Sequence, residues 1–323
     1  MGRLIRLKSN GKQFNKIKTK IKFAIDSCDY LLLNDHEVTD ATTNPSLILK
    51  VLKQSRYRQF VQEIKARNLT LPREQLIPLL IVNFGKEILK RIPGRVSTEV
   101  SPQVAYDVKQ TVEEAYRIRE TYLSLGENLE RILIKIPATY EGIKAASELE
   151  KDGVRCNMTL IFSEVQSLAC ADAGAAVISP FVGRVGDWYK KCGRSWDLVE
   201  EDPGVRFVRK LKFTLANYDN TEIMGASFRN IDQIIALAGL DLLTISPELL
   251  DGLKSVDKSL DLSWLDGSHT PVKNKTSNTL DRKNFDELLA GDVMATDKLV
   301  EGIELFQEDS QKFERMILSD DLR

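Results

Sequence analysis

Histidine is scarce in this chain of 323 residues: there are two, His36 and His269, beside four cysteines, Cys28, Cys156, Cys170 and Cys192. No two cysteines form a C-x-x-C pair, so neither a disulfide framework nor a common zinc site is expected, and a reducing compartment fits best. Charge of one sign is lacking too, since 46 basic and 47 acidic residues leave a net charge of −1. So weak a field gives no ground for nucleic-acid binding over the whole surface, nor for disorder, and partners must be sought in a site. No apolar run approaches the roughly 18 residues of a membrane span, and no signal-peptide core precedes the first strand. The expectation is a soluble, cytoplasmic protein with no membrane partner and no metal.

One local bias is present. Arg3, Arg6, Lys8, Lys12, Lys16, Lys18, Lys20 and Lys22 all precede the first acidic residue, Asp26. A solvated helix accounts for such an arm; contact with an anionic polymer or a transit function are the alternatives, and the charges carry no interleaved aromatics.

Eight short apolar or β-branched runs follow: residues 21–26, 38–43, 95–100, 132–137, 155–161, 176–181, 222–228 and 242–246. Helical patterns lie between them, at 45–65, 74–90, 104–123, 141–151, 163–173, 205–215 and 231–237. Alternation of strand and helix implies a parallel sheet. Eight units favour a closed (β/α)8 barrel of the TIM type, and no G-x-G-x-x-G opens the first helix to support a Rossmann fold. One barrel domain spanning 1–323 is expected, with a basic arm or helix at 1–20 and a polar connector followed by covering helices at 251–323.

The most informative residue is Lys135, in the buried-strand pattern Arg131-Ile-Leu-Ile-Lys-Ile136. Either it snorkels from an edge, or it is held in a dry pocket as an uncharged amine, which is a nucleophile toward carbonyl carbon. Leu133 and Lys135 share one face of the strand, which directs the lysine inward while the isoleucines at 132, 134 and 136 pack outward. Barrel enzymes draw catalytic groups from the C-terminal strand ends. Here those ends carry Asp26, Thr43-Asn44, Glu99, Lys135, Asn157 with Thr159, Ser179, and Ser227 with Arg229. Each has a plainer reading: Asp26 as a turn cap, Asn44 before Pro45 as a helix N-cap, Glu99 as a rim charge, Asn157 and Thr159 as partners for backbone groups, Ser179-Pro180 as a turn, Arg184 and Arg229 as surface residues. The argument rests on their coincidence at nearly every strand end.

Six blocks in order, 40-DATTNPSLIL-49, 94-GRVSTEV-100, 131-RILIK-135, 156-CNMTL-160, 178-ISPFVGR-184 and 224-MGASFRN-230, resemble the transaldolase family. The resemblance runs from about Asp26 to Leu318. It implies a (β/α)8 barrel that forms a Schiff base without cofactor or metal, acts on sugar phosphates in the pentose phosphate pathway, and assembles as a homodimer. A dihydroxyacetone unit would pass from sedoheptulose 7-phosphate or fructose 6-phosphate to glyceraldehyde 3-phosphate or erythrose 4-phosphate. By the same resemblance Lys135 is the Schiff-base lysine and Asp26 the general acid/base. Glu99 and Thr159 hold a catalytic water, Asn44, Asn157 and Ser179 fix the dihydroxyacetone hydroxyls, and Arg184, Ser227 and Arg229 take the phosphate. Glu99 and Phe181 match the transferase; the related fructose 6-phosphate aldolase branch carries glutamine and tyrosine there. Departures are Asp26-Ser-Cys-Asp29, where the family has Asp-Thr-Gly-Asp and Cys28 would strain a left-handed turn, and Glu287 and Ala290, where it has tryptophan and asparagine. A free aldolase and a catalytically silent sugar-phosphate-binding barrel remain the alternatives.

Overall fold

The structure, a computed structural model, describes residues 21–35, 37–255, 262–265 and 281–318; the basic arm and most of the polar connector lie outside the described residues. Eight parallel strands, β1 (Lys22–Asp26), β2 (Asp40–Thr42), β3 (Val96–Glu99), β4 (Ile132–Pro137), β5 (Cys156–Ile161), β6 (Val177–Pro180), β7 (Glu222–Gly225) and β8 (Leu242–Ile245), pair in chain order. The ring closes where Ala24 and Ile25 of β1 pair with Thr244 and Ile245 of β8. Around it stand α1 (Pro45–Leu52), α2 (Ser55–Arg67), α3 (Arg73–Leu89), α4 (Val108–Ser124), α5 (Tyr140–Lys151), α6 (Glu164–Asp172), α7 (Val182–Lys191), α8 (Pro203–Thr214), α9 (Ile231–Ala236) and α10 (Pro247–Ser255). Then α11 (Arg282–Ala290) and α12 (Val293–Leu318) follow. Among the described residues no helix is long and apolar enough to cross a membrane.

The helices begin where a short polar side chain accepts a backbone N–H: Asn44 from Leu47, Asp107 from Gln110, Thr139 from Gly142, Ser163 from Gln166, Asp202 from Gly204, Asn230 from Gln233. Each cap satisfies a donor that the helix itself leaves unpaired.

Several expected boundaries shift by a few residues, and three differences involve whole helices. The helix expected at 45–65 is two, α1 and α2, broken at Gln54, whose backbone is extended (φ −94°, ψ 132°). The break turns Gln54, Arg56 and Tyr57 together onto the buried carboxylate of Asp29. The connector expected from 251 begins instead as the second half of α10. Helix α7, which was not among the expected helices, buries Val182, Gly183, Val185 and Gly186.

Strand alternation sorts the barrel into two cores. Ile132, Ile134 and Ile136 face outward into the layer beneath the helices. Inside, Ala24, Leu133, Ala176, Val177, Met224 and Leu242 form an apolar plug. The next inward positions along the strands are polar: Asp26, Lys135 and Thr244 each come two residues after a plug residue. The plug therefore floors a polar chamber at the C-terminal end of the barrel.

Carboxylates pin the opposite end. Glu150 accepts from the backbone N–H of Cys156 (2.7 Å) and of Ala176 (2.8 Å), Asp40 from Arg95 (2.9 Å), and Asp241 from Ile223 (2.9 Å). Removing such an acceptor strands buried donors, each at a cost of roughly 1–3 kcal/mol. Glu150→Ala is expected to lower stability by about 2 kcal/mol, read as a lower urea midpoint with an unchanged slope; a midpoint equal to that of the parent would show that β5 and β6 do not depend on this carboxylate.

Candidate active site

Lys135 is 5% exposed and faces the chamber, which removes the snorkelling alternative. Its neighbours follow from strand register: Glu99 pairs with it from β3 and Asn157 from β5. Lys135 Nζ lies 2.9 Å from Glu99 Oε2 and donates to the carbonyl oxygen of Thr43 (3.3 Å). Oε2 is engaged by the lysine, while Glu99 Oε1 and Thr159 Oγ1 are buried without a hydrogen-bond partner among the described residues. The pair is thus held by charge, with accepting capacity to spare. Burial raises the Glu99 carboxyl above its ordinary range, and the Lys135 charge opposes that shift.

On the other side of the lysine, Asp26 accepts from Thr42 Oγ1 (2.8 Å), whose oxygen is 2.6 Å from the hydroxyl of Thr244. Since Thr42 gives its proton to Asp26, Thr244 donates to Thr42, and the two threonines orient the carboxylate. Cys28 is fully buried with no left-handed backbone, so the turn that aims Asp26 is unstrained. Asn157 donates to Ser97 Oγ (3.0 Å) and accepts from Ser179 (2.7 Å), a chain that fixes both side chains. Asn44 is the expected N-cap; with Oδ1 engaged by Leu47 N (2.8 Å), its amide nitrogen is the group it offers the chamber.

A cavity of about 200 Å³ joins these groups, lined by Asp26, Asn44, Lys135, Thr159, Ser179, Phe181, Arg184, Ser227 and Arg229 among others. Glu99 and Asn157 stand outside that lining, behind Lys135 and Ser179. A larger cavity of about 620 Å³, lined by Tyr189, Trp196, Phe207 and Lys210, contains none of the strand-end polar groups.

The mouth is cationic. Arg229 pairs with Asp187 through Nε (2.9 Å) and Nη2 (2.8 Å) and donates to Ser227 Oγ (3.2 Å). Arg184 lies over the rings of Phe181 (5.1 Å) and Phe306 (5.3 Å). Burial, and then the like charge of Arg229, hold the Arg184 guanidinium below its ordinary value. Two cations held this close favour an anion between them, and guanidinium forks suit phosphate oxygens. Ser227 adopts a left-handed backbone (φ 61°), costly for a residue with a Cβ, and its carbonyl accepts from Gly183 N (2.9 Å). A Cβ at Gly183 would lie 2.3 Å from that oxygen, so glycine lets α7 and the loop after β7 bring both arginines to one place.

Sequence reasoning missed four contributors. Thr42 and Thr244 were accessible from the period-two rule, being two residues before Asn44 and Ser246. Asp187 needed the three-dimensional pairing with Arg229. Phe306, on α12, closes the cavity 5.9 Å from the Lys135 ammonium position. The exposed departures, Glu287 and Ala290, lie on α11 and leave that contact untouched. Compared with known proteins, residues 20–317 match a family model described as Transaldolase/Fructose-6-phosphate aldolase.

Lys135→Met leaves the Glu99 carboxylate buried without its cation, a loss of about 3 kcal/mol by analogy with broken buried pairs. Its folded pKa then rises further above the ordinary 4.5, so stability falls as pH climbs from about 4.5 through the raised value. Urea titrations at acid and neutral pH are expected to show the deficit growing with pH, and Glu99→Gln in the same chain to abolish that slope; a deficit independent of pH would contradict the pairing.

Proposed function

Because this chain belongs to the Transaldolase/Fructose-6-phosphate aldolase family, we propose that it is a transaldolase. In this reading it moves a dihydroxyacetone unit between sugar phosphates through a Schiff base at Lys135. The observation that carries the proposal is a buried lysine beside a carboxylate with unmet hydrogen-bonding capacity, on the wall of a cavity whose mouth holds two guanidinium groups.

The chemistry follows the groups in order. The phosphate of a ketose such as fructose 6-phosphate or sedoheptulose 7-phosphate binds Arg184, Arg229 and Ser227, which places the carbonyl deep in the cavity. The Lys135 amine attacks that carbon; Glu99 and Thr159, which have buried oxygens with spare hydrogen-bonding capacity, hold the water that carries protons during loss of the carbinolamine oxygen. Asp26, oriented by Thr42, takes the proton of the C4 hydroxyl as the C3–C4 bond breaks, and the iminium accepts the electron pair. Asn44, Asn157 and Ser179 hold the hydroxyls of the three-carbon unit until an acceptor, glyceraldehyde 3-phosphate or erythrose 4-phosphate, arrives. Phe181 presents an apolar ring where a hydroxyl would help solvent quench the carbanion, which supports transfer over free aldol cleavage. A homodimer in the cytoplasm belongs to the same proposal.

Borohydride reduction with fructose 6-phosphate is expected to leave a dihydroxyacetone-derived mass on Lys135; an unmodified Lys135 peptide would favour the silent-barrel alternative. In a coupled assay, turnover is expected to require erythrose 4-phosphate or another acceptor, whereas dihydroxyacetone released equally fast without one would assign an aldolase. Arg229→Ala is expected to raise KM for phosphorylated ketoses about tenfold or more, the scale of a lost charge-assisted contact, and to spare unphosphorylated ones. Equal loss for both would remove the phosphate role.

A further inference from the structure

The two guanidinium groups at the mouth are held in different ways. Arg229 commits Nε and Nη2 to Asp187 and Nη1 to Ser227. Arg184 has no hydrogen bond or ion pair with any of the described residues, and what steadies it is the rings of Phe181 (5.1 Å) and Phe306 (5.3 Å). A ring engages the π face of a guanidinium, whose N–H donors lie in the plane and stay free. Arg184 therefore meets an anion with its whole fork unspent. Phe306 comes from α12, and one turn earlier on the same face stands Gly302, also buried. A Cβ on Gly302 would lie 3.2 Å from Arg184 Nη1 and 2.8 Å from Leu160 Cδ2. Leu160 is fully buried on β5, so the guanidinium, or the helix above it, would have to move. One turn further back Lys298 bonds Glu301 (2.6 Å), the acid whose charge acts most on Arg184, so that carboxylate is already engaged.

The geometry points to α12 as the element that sets the preference of the site for phosphorylated substrates: Gly302 admits the Arg184 guanidinium beneath the helix, and Phe306 steadies it without occupying a donor. The inference rests on the phosphate role given to this mouth above and is independent of the Schiff base. Both are positioning residues, since they act on the anion through Arg184. The arrangement separates two tasks that one ion pair would set against each other. A carboxylate partner would fix the arginine but compete with the incoming phosphate for its N–H groups, whereas a ring and a close helix backbone fix it and leave those groups to the ligand.

Gly302→Ala tests this with inorganic phosphate as the probe. Thermal-shift titration of the parent protein is expected to show saturable stabilisation by phosphate, and the variant to need about tenfold more of it, the scale of one lost charge-assisted contact. In turnover, kcat/KM for fructose 6-phosphate is expected to fall about tenfold relative to that for fructose, with most of the change in KM. A helix that merely lifted from the barrel would harm both substrates alike, and that result would overturn the inference. Phe306→Leu keeps apolar bulk but removes the ring face; it is expected to weaken phosphate in the same titration, and decides the matter if the first variant does not fold. Folded variants that take up phosphate as the parent does would also overturn the role of α12. No stabilisation of the parent by phosphate would instead remove the phosphate role of the mouth, and the inference with it.

Discussion

A lysine and a glutamate face each other inside a closed sheet, and most of the architecture serves to keep them there. Burying either charge alone is costly, because a medium that cannot reorganise like water solvates ions poorly. The register of β3 against β4 makes them direct neighbours, so each limits the cost of the other. The apolar plug beneath them excludes solvent from below, and Phe306 covers the lysine from above. The result is a lysine and a carboxylate in contact, both shut away from bulk water.

The cationic mouth shows the opposite arrangement. There two like charges approach one another, one partly buried under aromatic rings and the other tied to Asp187. Left-handed Ser227 and the close approach at Gly183 hold this unfavourable geometry in place. Strain and repulsion concentrated at one rim, with the plug and the pinned strand starts elsewhere, is how a stable scaffold keeps a binding site poised.

The barrel was legible because its signal is redundant: eight runs of strand-like residues, each followed by a helical pattern, leave few other topologies. The inward direction of Lys135 followed from alternation alone, and the same rule would have exposed Thr42 and Thr244 had it been applied to β2 and β8. What sequence could not give was anything set by distant segments meeting. The break between α1 and α2 answers to Asp29, far back in the chain, and Asp187 acquires meaning only against Arg229. Cys28 illustrates the converse, since an unusual residue suggested strain where the backbone has none.

Phe306 comes from the last helix, translated after all eight strands. A nascent chain that has completed its barrel therefore displays the lysine without that ring, and leaves Arg184 under Phe181 alone. Access to that side chain is therefore set by the order of synthesis as well as by the folded state, because the roof over the chamber is made after its walls.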